Sequence, residues 1–490
     1  MKLRNVLLLV VLGLTIPDAD AQTETILHVF VGSANDGLYP KGTLVEGDDG
    51  NFYGTTFGGG NTNSFSSWIG CGTVFRISPS GTHTSLYFFG TSPSDGSQPV
   101  AGLVKGSDGN FYGTTQRGGT NAIGSGGLGT VFRISPGGSY TNLYSFPGYA
   151  GDGYFPQAGL VQGSDGNFYG TTYGGGTNGY GIVFRISPDG KEETVCTFVV
   201  WAGNGGYTVP GVVQGSEGDF YGTTVNGGTG TTCFAGCGTV FRISPSGSFT
   251  NLHSFVGYPS DGANPYAGLI QGSDGYFYGT TRLGGTNDCG TVFRISPSGC
   301  ETVLYSFAGP PSDGCNPQAA LVQGSDGNFY GTTIYAGATG AGIVFRISPS
   351  GNYTNLYSFE GPPNDGYQPN TAALVQGSDG SFYGTTPEGG SSLNSGYGLG
   401  TVFKLTVPLS PPANQIAGLQ FLSVFDMSYA AILIPSVANE TYQLQYTDSM
   451  NPTNWINSGD PLTSIGGPAT FFDFVGSTTS QRFYRFAITP

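Results

Sequence analysis

Two sets of carboxylates, a row of cations and three histidines are the side chains in this 490-residue sequence whose type and recurrence could carry chemistry. The first carboxylates sit inside a Ser-Asp-Gly turn: Asp49, Asp108, Asp165, Glu217, Asp274, Asp326 and Asp379. The second stand just ahead of an x-x-Pro: Asp36, Asp95, Asp152, Asp261, Asp313 and Asp365, with Asn204 in the fourth place. Acids brought together in pairs serve glycoside hydrolysis. Acids clustered several to a loop bind calcium. One Asp per loop falls short of a calcium shell, and a recurrent turn Asp ordinarily bonds its own backbone. Both sets are therefore expected to be structural. No catalytic residue, metal ligand or cofactor is assigned, and calcium is the alternative. The cations Arg76, Arg133, Arg185, Arg242, Arg294, Arg346 and Lys404 recur on one face of a strand. An ion pair between repeats, or a hydrogen bond to a repeat Asp, is expected there rather than an anion-binding ring. Of the histidines, His28 and His253 stand where other units have the Tyr of Leu-Tyr-Ser-Phe, and His83 is placed in the turn before such a strand. No two of them are expected to converge.

These residues are carried by a repeat. The phrase GSDGNFYGTT occurs unchanged at Gly106, Gly163 and Gly324, with near-copies at Gly47, Gly215, Gly272 and Gly377. Its Tyr residues, Tyr53, Tyr112, Tyr169, Tyr221, Tyr278, Tyr330 and Tyr383, are spaced by 59, 57, 52, 57, 52 and 53 residues. Periods near 50 belong to propellers and solenoids. One unit, Gln157–Phe198, contains four strand-like pieces, QAGLVQG, NFYGTT, GIVFRIS and ETVCTF, separated by Gly, Pro, Asn and Asp turns. That is the content of a propeller blade. The phrase is expected to be structural: Asp-Gly for the turn, Phe-Tyr for packing between blades, Gly for close backbone approach and Thr-Thr for the strand.

The seventh unit lacks the last strand and runs out as GTVFKLTVPL, while ETILHVFVG (Glu24–Gly32) matches TNLHSFVG (Thr250–Gly257) before any full unit has begun. The sequence thus predicts an all-β chain, a seven-bladed propeller over 22–405 whose N-terminal strand completes the last blade and removes the open edges. Thr406–Gln415 reads as a Pro-rich linker. Residues 416–490, with alternating segments such as TYQLQYTDS and QRFYRFAI, read as a small β-sandwich. The pattern LVxGSDGNFYGTTxxGG…GTVFRISPSG…LYSF, over roughly Ile26 to Leu409, resembles the GloVer tandem-repeat proteins, exported bacterial proteins with variable C-terminal anchors. The resemblance implies a repeat array outside the cytoplasm and brings no catalytic residues with it. The C-terminal segment resembles, more loosely, short modules of exported proteins. No hydrophobic anchor of the kind the family carries is read at FYRFAITP.

Residues 1–21 read as a secretory signal: Lys2 and Arg4, the apolar Val6–Leu14, and Ala19-Asp20-Ala21 as cleavage site. The expected product is secreted, periplasmic or at the cell surface, monomeric, and not inserted in a membrane. A formal net charge of −15 argues against nucleic acid and anionic membrane surfaces. Of seven Cys, Cys233 with Cys237 and Cys289 with Cys315 are the candidate disulfides. The Ser-Asp-Gly and Ser-Pro-Ser-Gly turns hardly vary, so one face of the ring is uniform. The loop after YGTT and the connection between units vary, and they carry Phe65, Trp68, Trp201, Tyr207, Phe234 and Tyr397. Variable loops on a rigid scaffold are where function resides, and Trp and Tyr are frequent anchors. The expectation is non-enzymatic binding of a glycan or surface protein on this face. The alternatives are a polysaccharide hydrolase or lyase using loop carboxylates, or a purely structural cell-surface protein.

Overall fold

The computed structural model describes residues 22–407 apart from 33–34, 61–68, 93, 121–125, 149–150, 200–205, 207–209 and 392–396, and beyond them the backbone of seven strands within 418–489. The expected leader and most of the linker lie outside the described residues. All regular structure in them is β, with no helix. Apart from the turn residues Ser325–Gly327, one compact unit ends at Val407 and a second spans Pro408–Pro490.

The first unit is a seven-bladed β-propeller. Each blade is a four-stranded antiparallel sheet with strands in chain order. Blade 2, for example, runs Val104–Lys105, Phe111–Thr115, Thr130–Ile134 and Tyr140–Ser145 from inside out. Blade 7 departs from that order. Val375–Gln376, Phe382–Thr386 and Thr401–Thr406 come from the end of the repeat, and Thr23–Val29 lies antiparallel along Thr401–Thr406 as the fourth strand. In the second unit, Gly418–Val424, Met427–Ser436 and Gly467–Phe474 form one antiparallel sheet. In the other, Thr441–Thr447 pairs with Ile456–Asn457, Leu462–Thr463 and Phe483–Thr489.

The recurrent ten residues serve both turn and seam. Asp49 takes the backbone N–H of Asn51 on Oδ1 (3.2 Å) and the Tyr53 hydroxyl on Oδ2 (2.9 Å), and Gly50 turns the chain at φ +70°. This is the Asx-turn expected of the first carboxylate set, and it repeats at Asp108, Asp165 and Asp379. Phe and Tyr, neighbours in sequence, point to opposite faces of the strand. Tyr53 therefore stacks on Phe111 of the next blade at 4.2 Å, and Phe52 on Tyr383 of the last at 4.0 Å. The same contact joins Tyr112 to Phe168, Tyr169 to Phe220, Tyr221 to Phe277, Tyr278 to Phe329 and Tyr330 to Phe382. Seven stacks make an unbroken circle, each worth about 1 kcal/mol beyond the area it buries. The first Thr ties the seam: Thr55 donates to the Ala101 carbonyl of the next blade at 2.8 Å, and Thr114 to Ala158 at 3.0 Å. The Gly of the phrase answers a side chain rather than a neighbouring backbone. A Cβ on Gly54 would lie 2.6 Å from Cζ of Phe75, its partner on the paired strand.

Strand direction sorts the loops. The Ser-Asp-Gly type of turn closes one end of every blade, and a Ser-Pro-x-Gly turn closes the same end of blades 1 to 6. At the other end, short ribbons such as Gly37–Leu38 with Gly58–Gly59 tie the incoming connection to the base of the variable loop. Variable loops and connections thus share one face.

The cations sit within blades, not between them. Arg76 lies across from Tyr53 in the register. Arg185 pairs with Glu193 at 2.5 Å, Arg242 with Asp219 at 3.6 Å, and Lys404 with the repeat Asp379 at 2.8 Å. The hydrogen bond to a repeat Asp is thus met in one blade, while the pairs seen stay inside a sheet because the cross-strand neighbour is nearer than the next blade. Cys233–Cys237 and Cys289–Cys315 are disulfides, and Cys71, Cys196 and Cys300 are not.

Candidate ligand-binding face

The innermost strands leave a cavity of about 510 Å³ on the ring axis, lined by all seven blades. Its wall is built of small residues such as Ala101, Gly102, Ala158, Gly211, Gly268 and Ala320. Its mouth, on the face of the variable loops, is where the repeats differ. The residue following the connection's Pro is Lys41, Val100, Gln157, Tyr266 or Gln318 in different units, and the one following the Thr-Thr pair is Phe57 or Gln116. Lys41 Nζ lies over the Phe57 ring at 4.1 Å, and the Arg282 guanidinium over the Tyr266 ring at 5.3 Å. Burial lowers the Lys41 amine from its ordinary value, and the Glu388 carboxylate opposes that. Asn370, on the lining, has a buried Oδ1 with no hydrogen-bond partner, as has the Nε–H of Arg282. The lining of the mouth therefore combines aromatic faces, amides and the Lys41 amine, with Arg282 behind Tyr266. Among the described residues that line it there is no carboxylate and no imidazole. None of the recurrent third-strand cations lines it either.

Of the six aromatics expected on this face, Phe65, Trp68, Trp201 and Tyr207 lie outside the described residues. Phe234 is fully exposed beside the Cys233–Cys237 disulfide. It shares a hollow of about 600 Å³ with Tyr258, Asn264, Leu283 and Asp288. Tyr397 is exposed and stacks on Tyr367 at 5.8 Å. These two belong to loops of blades 4 and 7, and neither lines the axial cavity. The mouth residues Lys41, Phe57, Gln157 and Tyr266 were missed because they stand inside the repeat. The available signal was the variability of the single position after the connection's Pro.

The second carboxylate set does not form Asx-turns. Asp95 is buried. Its Oδ1 takes the N–H of Gly96, and its Oδ2 takes the Tyr87 hydroxyl at 2.9 Å. Tyr140, which begins the fourth strand of the next blade, lies flat on Tyr87 at 4.1 Å. Tyr305, Asp313 and Tyr353 repeat this set. In two seams the second Tyr is replaced by Glu. Burial and the nearby Asp365 push Glu24 up to about 8 against the pull of Tyr357, and burial and Asp152 push Glu192 up to about 7 against Tyr144. These acid pairs look like acid–base machinery, but they occupy positions equivalent to a Tyr stack on the fourth strands, away from the axis.

In two further seams His enters, and the seam between blades 3 and 4 has Cys196 and Phe249 at these positions. His253 Nε2 is 3.2 Å from Asp261, beside Glu301, whose carboxyl burial and Asp261 push up to about 7 against the charge of His253. His28 Nε2 is 3.3 Å from Asp36, and the His83 ring stacks on His28 at 4.1 Å and 8°. The expectation that no histidines converge is thus overturned. His83 opens the fourth strand of blade 1 rather than lying in a turn. His28 belongs to blade 7, which the ring makes the neighbour of blade 1. Burial, and then His28, lower the His83 imidazole to about 4, with Asp36 opposing.

A ring of seven near-identical blades with one uniform and one variable face defines a repeat-built propeller scaffold. The chain belongs to the Gloeobacter/Verrucomicrobia repeat family, whose model matches residues 15–233 and 211–432. No curated protein matches it by sequence. Among solved structures it is similar to the BP39L lectin from Burkholderia pseudomallei (11% identity, 71% of this chain and 96% of that one, TM-score 0.46). It is also similar to a luciferin-regenerating enzyme (14%, 61% and 87%, 0.36) and to the NanB sialidase from Streptococcus pneumoniae (11%, 78% and 71%, 0.39). At these identities and TM-scores, nothing those proteins bind or do transfers to this chain.

Proposed function

We propose that the protein is an exported, non-enzymatic propeller that binds a glycan on the face of the variable loops, centred on the axial mouth. The observation that carries this reading is the lining: aromatic faces, amides and one cation around a cavity of about 510 Å³. Phe57 and Tyr266 offer ring faces for a sugar, and Gln116, Gln157, Gln318 and Asn370 offer both donors and acceptors to hydroxyls. A glycosidase at this mouth would need two carboxylates about 5 to 9.5 Å apart, and the described lining supplies none. The exposed Phe234 and Tyr397 extend the surface outward along the loops. In this reading the strand Thr23–Val29 closes the ring, the two C-terminal sheets pack as a small sandwich, and the monomer acts outside the cytoplasm.

The test is retention on a polysaccharide and glycan panel with released sugars read from the same wells. Retention without product is expected, with affinity falling at least about tenfold in Tyr266→Ala. Product release would make the protein a hydrolase or lyase. Unchanged affinity of Tyr266→Ala for a retained glycan would move the site off the mouth.

A further inference from the structure

We propose that the mouth of the ring selects an acidic glycan, and that Lys41 is the residue that reads its carboxylate or sulfate; this inference rests on the glycan reading above. Three observations carry it. First, the cations are sorted between the two faces. Toward the uniform turns, Lys105, Arg242 and Lys404 pair with the turn carboxylates Asp48, Asp219 and Asp379. Lys41, Arg117 and Arg282 stand instead on the face of the variable loops, after the connection's Pro or just after Thr-Thr. Among the described residues, no ion pair includes any of these three. Second, each of them lies over an aromatic ring: Lys41 over Phe57 at 4.1 Å, Arg117 over Phe155 at 5.2 Å and Arg282 over Tyr266 at 5.3 Å. A ring face holds a cation in place without cancelling its charge, so the charge stays available to a ligand. Third, Lys41 is the one of the three that lines the axial cavity, and no carboxylate lines it among the described residues.

The fold fixes where Lys41 stands. Thr371 of blade 7 donates its hydroxyl to the Lys41 carbonyl at 3.1 Å, and Thr43 accepts the Ala373 N–H at 2.9 Å. The side chain is partly buried. That burial lowers the amine while the Glu388 carboxylate holds it up, and burial raises the Glu388 carboxyl in turn. Glu388 thus acts on Lys41 through space without a direct ion pair. An anionic group entering the cavity would give the ammonium the charge-assisted hydrogen bond it lacks, in a place with less water than the open surface. Gln116 and Asn370 on the same lining offer donors and acceptors to the hydroxyls of the sugar that carries the acid. With a net charge of −15, the chain as a whole repels polyanions, so only a local cation can select one.

The experiment measures the affinity of the full chain for matched pairs of trisaccharides by calorimetry. Galacturonate, mannuronate and glucuronate oligomers are each compared with their methyl esters, and a sulfated galactan oligomer with its desulfated form. Each neutral partner keeps the sugar and loses the charge. Lys41→Met keeps most of the stem over Phe57 and removes the charge, and Lys41→Arg keeps the charge. The wild type is expected to bind at least one acidic member about tenfold or more tightly than its neutral partner, with the gap narrowing as salt is raised. Lys41→Met should close the gap by weakening the acidic member alone, and Lys41→Arg should keep it. The pair that shows the gap tells carboxylate from sulfate. Equal affinities within every pair in the wild type would overturn the proposal and leave the glycan reading standing, as would a gap that persists in folded Lys41→Met. Retention of no glycan, acidic or neutral, would remove both readings.

Discussion

Glu24 offers the sharpest test of how the seams are held. Its carboxyl, ordinarily near 4.5, is pushed up to about 8 by burial and by Asp365, with Tyr357 pulling the other way. The folded chain therefore keeps a proton that the unfolded chain releases above about pH 4.5. Stability contributed at this seam is fully present below the unfolded value and is lost as pH rises toward about 8. Taken whole, the displacement penalises the ionised form by about 5 kcal/mol. Glu24 is only partly buried, so solvent screening cuts this to about 2 kcal/mol. Glu24→Gln keeps the shape, puts an amide N–H where the protonated carboxyl has its O–H, and removes the charge. A propeller of this size unfolds with an entropy of about 0.8 kcal/mol/K, so 2 kcal/mol is about 2 to 3 °C. Thermal melts of both proteins at about pH 4.5 and about pH 8.5 should show the variant level with the wild type at the lower pH and 2 to 3 °C above it at the higher. Subtracting the wild type removes every other titrating group. A difference that does not change between the two pH values would refute the reasoning, because Glu24 would then titrate alike in the folded and unfolded chains.

Glu192→Gln should behave in the same direction with a smaller gain at high pH, because Glu192 is pushed only to about 7; paired melts at the same two pH values check it. Tyr112→Phe keeps the stack on Phe168 and loses the hydroxyl bond to Asp108, so it should cost about 1 kcal/mol. Tyr112→Ala empties the seam and should cost about 3–5 kcal/mol, and urea titration separates the two. Cys71 occupies the place of Cys289, and Ser97 that of Cys315: Gln98 N–H donates to the Cys71 carbonyl as Asn316 N–H does to that of Cys289, both at 2.8 Å. Ser97→Cys should therefore form a third disulfide, read as loss of the Cys71 thiol, and raise stability by about 3 kcal/mol, read by reducing and non-reducing melts.

What the sequence determined is whatever each blade needs for itself. The Asp-Gly turn, the alternation of Phe and Tyr, the seven-fold count and the four strands per unit are local requirements repeated in every unit, so period and pattern display them. The two disulfides were legible because few cysteines lay close enough in the repeat to pair. What only the tertiary structure decided is which residues the closed ring brings together. Residues 55 positions apart in the chain, His28 and His83, stack because blade 7 is the neighbour of blade 1. The second carboxylate set turned from loop residues into buried acceptors because the fourth strand of one blade is covered by that of the next. The axial mouth is assembled from single residues of every blade, each indistinguishable in sequence from ordinary repeat variation. Periodicity marks what is equal among units, and rotation about the axis makes the unequal residues meet.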